Sequence, residues 1–228
     1  MRIAVIGSVF GELEAIYEKL SGKYVSWVLS TGNYGIWPDP VRADRRSRQM
    51  GTGDFLKYLA GVKRIPIPTL MVGGAHEDYF WINKMVKRGD GELIENLHYL
   101  INGNNTFIED NDTTLKIVGI GGTYSPKPNP GLGHYTAKDI QHACTAGPMD
   151  LFLSHEGPDG VRFGNIVSGA KGLNKVCFAT RPRLLVHGKY PETSFYQTEQ
   201  TNTSALCVGH HDYRLLDITA DSIVPVAI

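Results

Sequence analysis

Short apolar runs recur along the chain, and each breaks off at a turn carrying Gly or His. The run 3–6 stops at Gly7, 27–29 at Thr31-Gly32, and 69–72 at Gly73-Gly74. The run 115–120 stops at Gly121-Gly122, 151–153 at Ser154-His155, and 184–186 at His187. Runs of this length, bounded by turn signals, predict buried strands. Between the first two, Leu13, Ile16, Tyr17 and Leu20 recur at helical spacing and predict a helix over 12–20. Phe55, Leu56 and Leu59 predict a second helix over 54–60. Strand, helix and strand in alternation predict α/β layers, with any ligand at the carboxyl ends of the strands.

The tail changes style. Residues 204–208, 213–218 and 223–226 read as strands with no helix between them, which predicts an antiparallel second sheet. Asn102-Gly-Asn-Asn105 and Glu109-Asp-Asn-Asp112 predict turns of a hairpin between Tyr99 and Ile117. No internal repeat or linker interrupts the pattern, and a length of 228 residues suits one domain spanning 1–228.

Charge narrows the function classes. Lys+Arg and Asp+Glu balance at 23 each, which argues against a protein held on nucleic acid mainly by counterion release. The segment 42–48, with Arg42, Arg45, Arg46 and Arg48, is the best local basic patch, or else a solvated face. Cys144, Cys177 and Cys207 form no CxxC pair, so reduced thiols of a cytoplasmic protein are the expectation. No run approaches the about 20 apolar residues that a membrane helix needs.

The order of the turns resembles the calcineurin-like metallophosphoesterase superfamily. Its lariat-debranching branch, together with the related domain of Cwf19-type splicing factors, is the nearest in pattern. Gly7 followed by Gly11-Glu-Leu-Glu14 resembles that branch's first turn, and Thr31-Gly32-Asn33 stands where the family writes Gly-Asp. Gly73-Gly-Ala-His-Glu77 stands where it writes Gly-Asn-His-Glu. Ser154-His155 fits a strand ending in Ser-His, and His187-Gly-Lys189 fits the last His-x-His. The resemblance implies an α/β fold, a layered β-sandwich of mixed central sheets flanked by helices. It also implies a pair of divalent cations that share a bridging oxygen and clamp a phosphate.

By the same resemblance, most of the cation cradle is replaced. Ser8 stands for the first Asp or Cys, Phe10 for the first His, Asn33 for the bridging Asp, Ala75 for the Asn, and Lys189 for the last His. A phenyl ring and an ammonium offer a metal nothing, and an amide or hydroxyl offers little. His155 and His187 remain, with Asn33 as a weak helper. One divalent cation (Mn, Zn or Fe), aided by a carboxylate such as Glu77, Asp78 or Glu156, is the reduced alternative to none at all.

Several other residues carry two readings each. His76 stands where the family places a substrate-facing His, to contact an anion or act as acid or base, or it is simply tolerated in its turn. Lys189 replaces lost positive charge and binds phosphate, or reaches into solvent. Phe10 fills vacated volume, stacks a base, or both. Ser8 as a nucleophile lacks a visible base and orienting group. His210-His211-Asp212 reads as a surface turn away from the cleft, and Tyr34, Trp37, Tyr79, Phe80 and Trp81 as an apolar lip or as core.

The reading that follows is a degenerate phosphoesterase-fold protein that binds a phosphate-bearing ligand, nucleotide or protein partner without hydrolysing it. Asn33, His76, His155, His187 and Lys189 are its expected ligand contacts. The alternative is a one-metal phosphodiesterase, or a metal-free enzyme in the same cleft with His76 catalytic. The resemblance implies RNA, to which the balanced charge gives little support, and no membrane partner is expected.

Overall fold

The computed structural model of the chain describes residues 1–43, 45–89, 91–163 and 166–226. Asp44, within the basic segment, lies outside the described residues.

Seven strands build the first sheet. In spatial order they are β17 (Ile223–Pro225), β16 (Tyr213–Ile218), β1 (Arg2–Ile6), β2 (Trp27–Ser30), β3 (Thr69–Met71), β5 (Leu97–Tyr99) and β4 (Glu92–Ile94). Six build the second: β14 (Ser194–Gln197), β15 (Ser204–Cys207), β13 (Leu184–His187), β10 (Leu151–Ser154), β7 (Thr113–Ile120) and β6 (Asn105–Asp110). Two small pairs lie outside them, β8 (Thr123–Tyr124) with β9 (His134–Tyr135), and β11 (Val161–Phe163) with β12 (Ile166–Ser168).

Alternation along the strands explains the layers. Ile3 and Val5 of β1 join Leu29, Leu70, Leu151, Leu153, Leu184 and Val186 in one core between the two sheets. Ala4 and Ile6, pointing the other way, pack with α1 (Leu13–Leu20), with α3 (Phe55–Leu59), which follows the short α2 (Arg45–Met50), and with α4 (Tyr79–Val86). On the far face of the second sheet, Val118, Phe152 and Leu185 pack with α5 (Ala137–Cys144) and α6 (Lys171–Thr180). The result is a helix–sheet–sheet–helix sandwich. Strands buried on both faces need unbroken apolar runs, and those are the runs that the sequence shows.

The two helices expected from spacing form at Leu13–Leu20 and Phe55–Leu59, and β6 and β7 make the expected hairpin. The tail corrects the expectation of a separate antiparallel sheet. β15 joins the second sheet parallel to β13, whereas β16 crosses to the first sheet and pairs antiparallel with β1, Ile3 opposite Leu216. Each sheet carries apolar surface on both faces, so joining an existing edge buries more than pairing among themselves. Among the described residues no helix is long and apolar enough to cross a membrane.

Candidate functional site

Parallel pairing sends the carboxyl ends of β1, β2 and β3, and of β7, β10, β13 and β15, to loops that meet over one edge of the sandwich. The loops are tied to one another through backbone. Val9 and Phe10 donate N–H groups to Asn33 O, Gly122 N–H to Gly73 O, and Gly188 N–H to His155 O. Contact this close requires glycine at Gly32 (φ 97°), where a Cβ would lie 2.8 Å from both Gly73 O and the His155 ring. Three residues at positions where the resemblance places ligands, Phe10 (φ 50°), Asn33 (φ 52°) and Lys189 (φ 74°), also hold left-handed backbone. A Phe or Lys there is strained by roughly 1–2 kcal/mol, so the turns keep a shape that their side chains do not favour.

On the first-sheet side, Asn33 is the hub. Its Nδ2 donates to Ser8 Oγ (3.2 Å), and its Oδ1 accepts from the His76 backbone N–H (3.0 Å). His76 is buried, its Nε2 donating to Gly51 O at 3.0 Å in the loop that covers the cleft. Its ring lies edge-on to Phe10 at 5.7 Å and to Trp37 at 5.5 Å.

Across the cleft, His155 Nδ1 donates to Thr31 O (2.8 Å), which leaves Nε2 as an acceptor. Burial holds this ring neutral, with its pKa lowered to about 4. His187 is equally buried and likewise lowered to about 4 by burial. Both its nitrogens are engaged: Nδ1 donates to Gly188 O (3.2 Å), and Nε2 accepts from the Tyr196 hydroxyl (2.7 Å). Lys189 reaches neither solvent alone nor an empty pocket; its Nζ donates to Glu156 Oε1 at 2.5 Å. Glu156 Oε2 accepts from the Tyr124 backbone N–H (2.9 Å) and the Tyr135 hydroxyl (2.8 Å). Burial pushes the Glu156 carboxyl up, but Lys189 and these bonds outweigh it and hold the group below its ordinary range.

The other carboxylates named as helpers are also committed. Glu77 accepts the backbone N–H groups of Tyr34, Gly35 and Ile36 at 2.7, 3.0 and 2.8 Å, holding the Asn33 loop in place. Burial nonetheless raises its pKa to about 7, against the pull of those bonds. Asp78 accepts from Trp81 N–H at the start of α4 and pairs with Arg42 at 3.1 Å. Among the described residues no group of three His, Cys, Asp or Glu side chains is arranged to hold a metal ion. The paired-cation cradle implied by the resemblance therefore does not fit the donors present: Phe10 and Lys189 stand in it, and His187 and the carboxylates are bonded elsewhere.

His210 and His211 do form a turn, with His211 exposed, but the turn lies against the cleft and not away from it. The His210 ring lies 5.1 Å and the His211 ring 5.6 Å from the Phe10 ring. His211 N–H donates to Ser8 O, and His210 Nε2 donates to Lys189 O at 3.1 Å. Gly7 makes this approach, since a Cβ there would strike Gly209 O at 1.8 Å. The crossing of β16 to the partner position beside β1 carries the turn into the cleft, and no local signal in the sequence announces that pairing. The aromatics read as lip or as core divide between the two. Tyr34 is core, its hydroxyl 2.9 Å from that of Tyr17, and Trp81 packs edge-on to Phe55, leaving Phe80 exposed under the Arg42 guanidinium.

No family model matches the chain. Lariat debranching enzymes are similar to it in sequence. The Entamoeba histolytica enzyme is 29% identical over 187 residues, covering 70% of this chain and 50% of the enzyme. The Arabidopsis thaliana enzyme is 26% identical over 190 residues, covering 71% and 43%. The chain thus spans about half the length, or less, of these curated relatives. A dimetal phosphatase from Danio rerio shares the fold with a TM-score of 0.61 at 10% identity, over 99% of this chain and 95% of that one. A putative 5'-nucleotidase from Staphylococcus aureus does so at 0.57 and 10%, over 100% and 53%. Sequence and fold point the same way: the likeness to lariat debranching enzymes, at 26–29% identity, and the fold shared with solved phosphatases support a resemblance to the calcineurin-like metallophosphoesterase superfamily, on its debranching-enzyme side.

Proposed function

We propose that this chain is a single-domain, cytoplasmic, non-hydrolysing member of the superfamily that binds a nucleotide-like, phosphate-bearing ligand in its cleft. The observation that carries the reading is the Lys189–Glu156 pair, 2.5 Å apart, with Lys189 at the position of the family's last metal-binding His. An ammonium there substitutes for cation charge, while its bond to Glu156 leaves the pocket with little net charge of its own. Neutral His155 keeps one acceptor nitrogen, because it donates its other N–H to a backbone carbonyl, and His210 is held beside Lys189 by its bond to the Lys189 carbonyl. Phe10 adds an aromatic surface of the kind on which bases stack. An acceptor and an aromatic ring suit the hydroxyls and base of a nucleoside, and Lys189, shared with Glu156, suits its phosphate. Asn33, His76 and His187 shape the pocket behind these groups. Because the relatives are named for lariat debranching, an RNA phosphodiester is one such ligand.

Calorimetry with AMP, adenosine, inorganic phosphate and a short oligoribonucleotide tests this. AMP is expected to bind more tightly than adenosine or phosphate, and Lys189→Ala to remove that advantage. With manganese, zinc or iron present, bis-p-nitrophenyl phosphate is expected to survive intact. Metal-dependent turnover that His155→Ala abolishes would replace the reading with a phosphodiesterase.

A further inference from the structure

On the outer side of the second sheet, α5 and α6 part around a cavity of about 730 Å3. That volume lies within the range of pockets for small organic ligands, about 300–1,000 Å3. Its floor is apolar: Ile140 and Cys144 come from α5, and Ala170 and Gly172 from the start of α6. Gly172 lets Ile140 lie against the α6 backbone, where any Cβ would meet Ile140 Cδ1 at 2.1 Å.

The polar groups divide by depth. The buried one is Glu156, whose charge is already matched by Lys189 and by the bonds from Tyr124 and Tyr135. The exposed ones are Tyr124, Gln141 and Lys175, of which only Lys175, on α6, carries charge. Its ammonium lies close enough to Cys144 to pull that thiol partly back from the rise that burial imposes. The start of α6 adds positive potential, since its N-cap, Ala170, makes no side-chain cap hydrogen bond and its first turn holds no acidic residue. The cavity thus offers a neutralised, apolar interior and a positive rim.

We propose that this cavity is a second binding site, for a small amphipathic monoanion such as an aromatic carboxylate. The apolar body rests on Ile140, Ala170 and Gly172, and the carboxylate faces Lys175. The inference does not depend on what the cleft binds, because cleft and cavity share only the Glu156 wall.

Cys144 supplies the readout, since Cys177 and Cys207 are buried and Cys144 is partly exposed within the cavity. Indole-3-acetate at about ten times its dissociation constant is expected to slow reaction of Cys144 with DTNB about tenfold, as for about 90% occupancy, and calorimetry is expected to give one site. Tryptamine, the same ring with a cationic tail, is expected to give no protection at that concentration. Lys175→Glu should invert the preference. Ala137→Trp adds bulk at the exposed first residue of α5, at the cavity mouth, and should abolish protection while circular dichroism shows an unchanged fold. Absence of both protection and heat with indole-3-acetate would overturn the site. Equal protection by tryptamine would overturn its charge preference, and unchanged binding in Ala137→Trp would overturn its location.

Discussion

The two sides of the cleft differ in how they depart from the donor set that the resemblance implies. On the first-sheet side the donors are substituted: Ser8, Phe10, Asn33 and Ala75 stand where the resemblance places stronger ligands. On the second-sheet side the imidazoles of His155 and His187 persist, but His187 is closed off by Tyr196 and Gly188, and Lys189 is locked to Glu156. A residue type that survives at its position has therefore not kept its availability. Counting ligands along the chain overstates what the second side can offer a cation.

The largest expected effect tests the internal pairing of the second side through pH. His155 and His187 have pKa values lowered to about 4 by burial, against an ordinary value of 6.5. Each stabilises the fold fully above pH 6.5, and that stability is lost as pH falls through about 4, roughly 3 kcal/mol per ring. Glu77 acts with the opposite sign. Its pKa is raised to about 7, so its contribution is complete below its unfolded value near 4.5 and is lost as pH rises through 7. Urea titrations from pH 7 to 4 should show a net loss on acidification. The double variant His187→Phe/Tyr196→Phe, which removes both partners at once, should shed about half of the histidine part. An unchanged slope would mean that His187 is not held neutral by burial.

Next comes the Lys189–Glu156 bond. Glu156→Gln is expected to cost about 2 kcal/mol at pH 7, below the roughly 3–5 kcal/mol of a fully buried broken pair because the Lys189 side chain is 37% exposed. Chemical denaturation measures it, and a cost within error of zero would remove the pair from the argument.

Restoring donors sharpens the comparison from the other direction. Phe10→His, Asn33→Asp and Lys189→His together put ligand-type side chains back on both sides of the cleft. Thermal melts with manganese at about 100 times its dissociation constant should then gain roughly 2.7 kcal/mol that the parent chain does not gain. If Phe10→His and Asn33→Asp without the Lys189 change do as well, the second side was never closed.

The smallest expected effect concerns the backbone. At Phe10, with φ of 50°, Phe10→Gly should be more stable than Phe10→Ala by about 1 kcal/mol, since both lose the ring and only glycine accepts the turn without strain.

Most of the fold was legible because buried strands must be apolar and must stop at turns: the runs before Gly7, Gly32, Gly73, His155 and His187 are β1, β2, β3, β10 and β13. Periodicity marked α1 and α3. It left α5 unmarked, although Thr136 and Asp139 form a reciprocal capping box at its start. At the site, the replaced positions could be read from order alone. What could not be read was the tail, because β16 finds its partner β1 across more than two hundred residues, and a strand's pattern does not name its neighbour.

The chain's own pattern thus determined the layers, the strand ends and which side chains stand at each turn, since these follow from local burial and turn chemistry. Tertiary structure alone decided which of those side chains are free. It turned His187 onto Tyr196 and Lys189 onto Glu156, brought His210 and His211 against Phe10, and opened a cavity beside Cys144. Hydrogen bonds and ion pairs between groups distant in sequence form only where packing brings them within about 3 Å, and that distance is a property of the assembled sandwich.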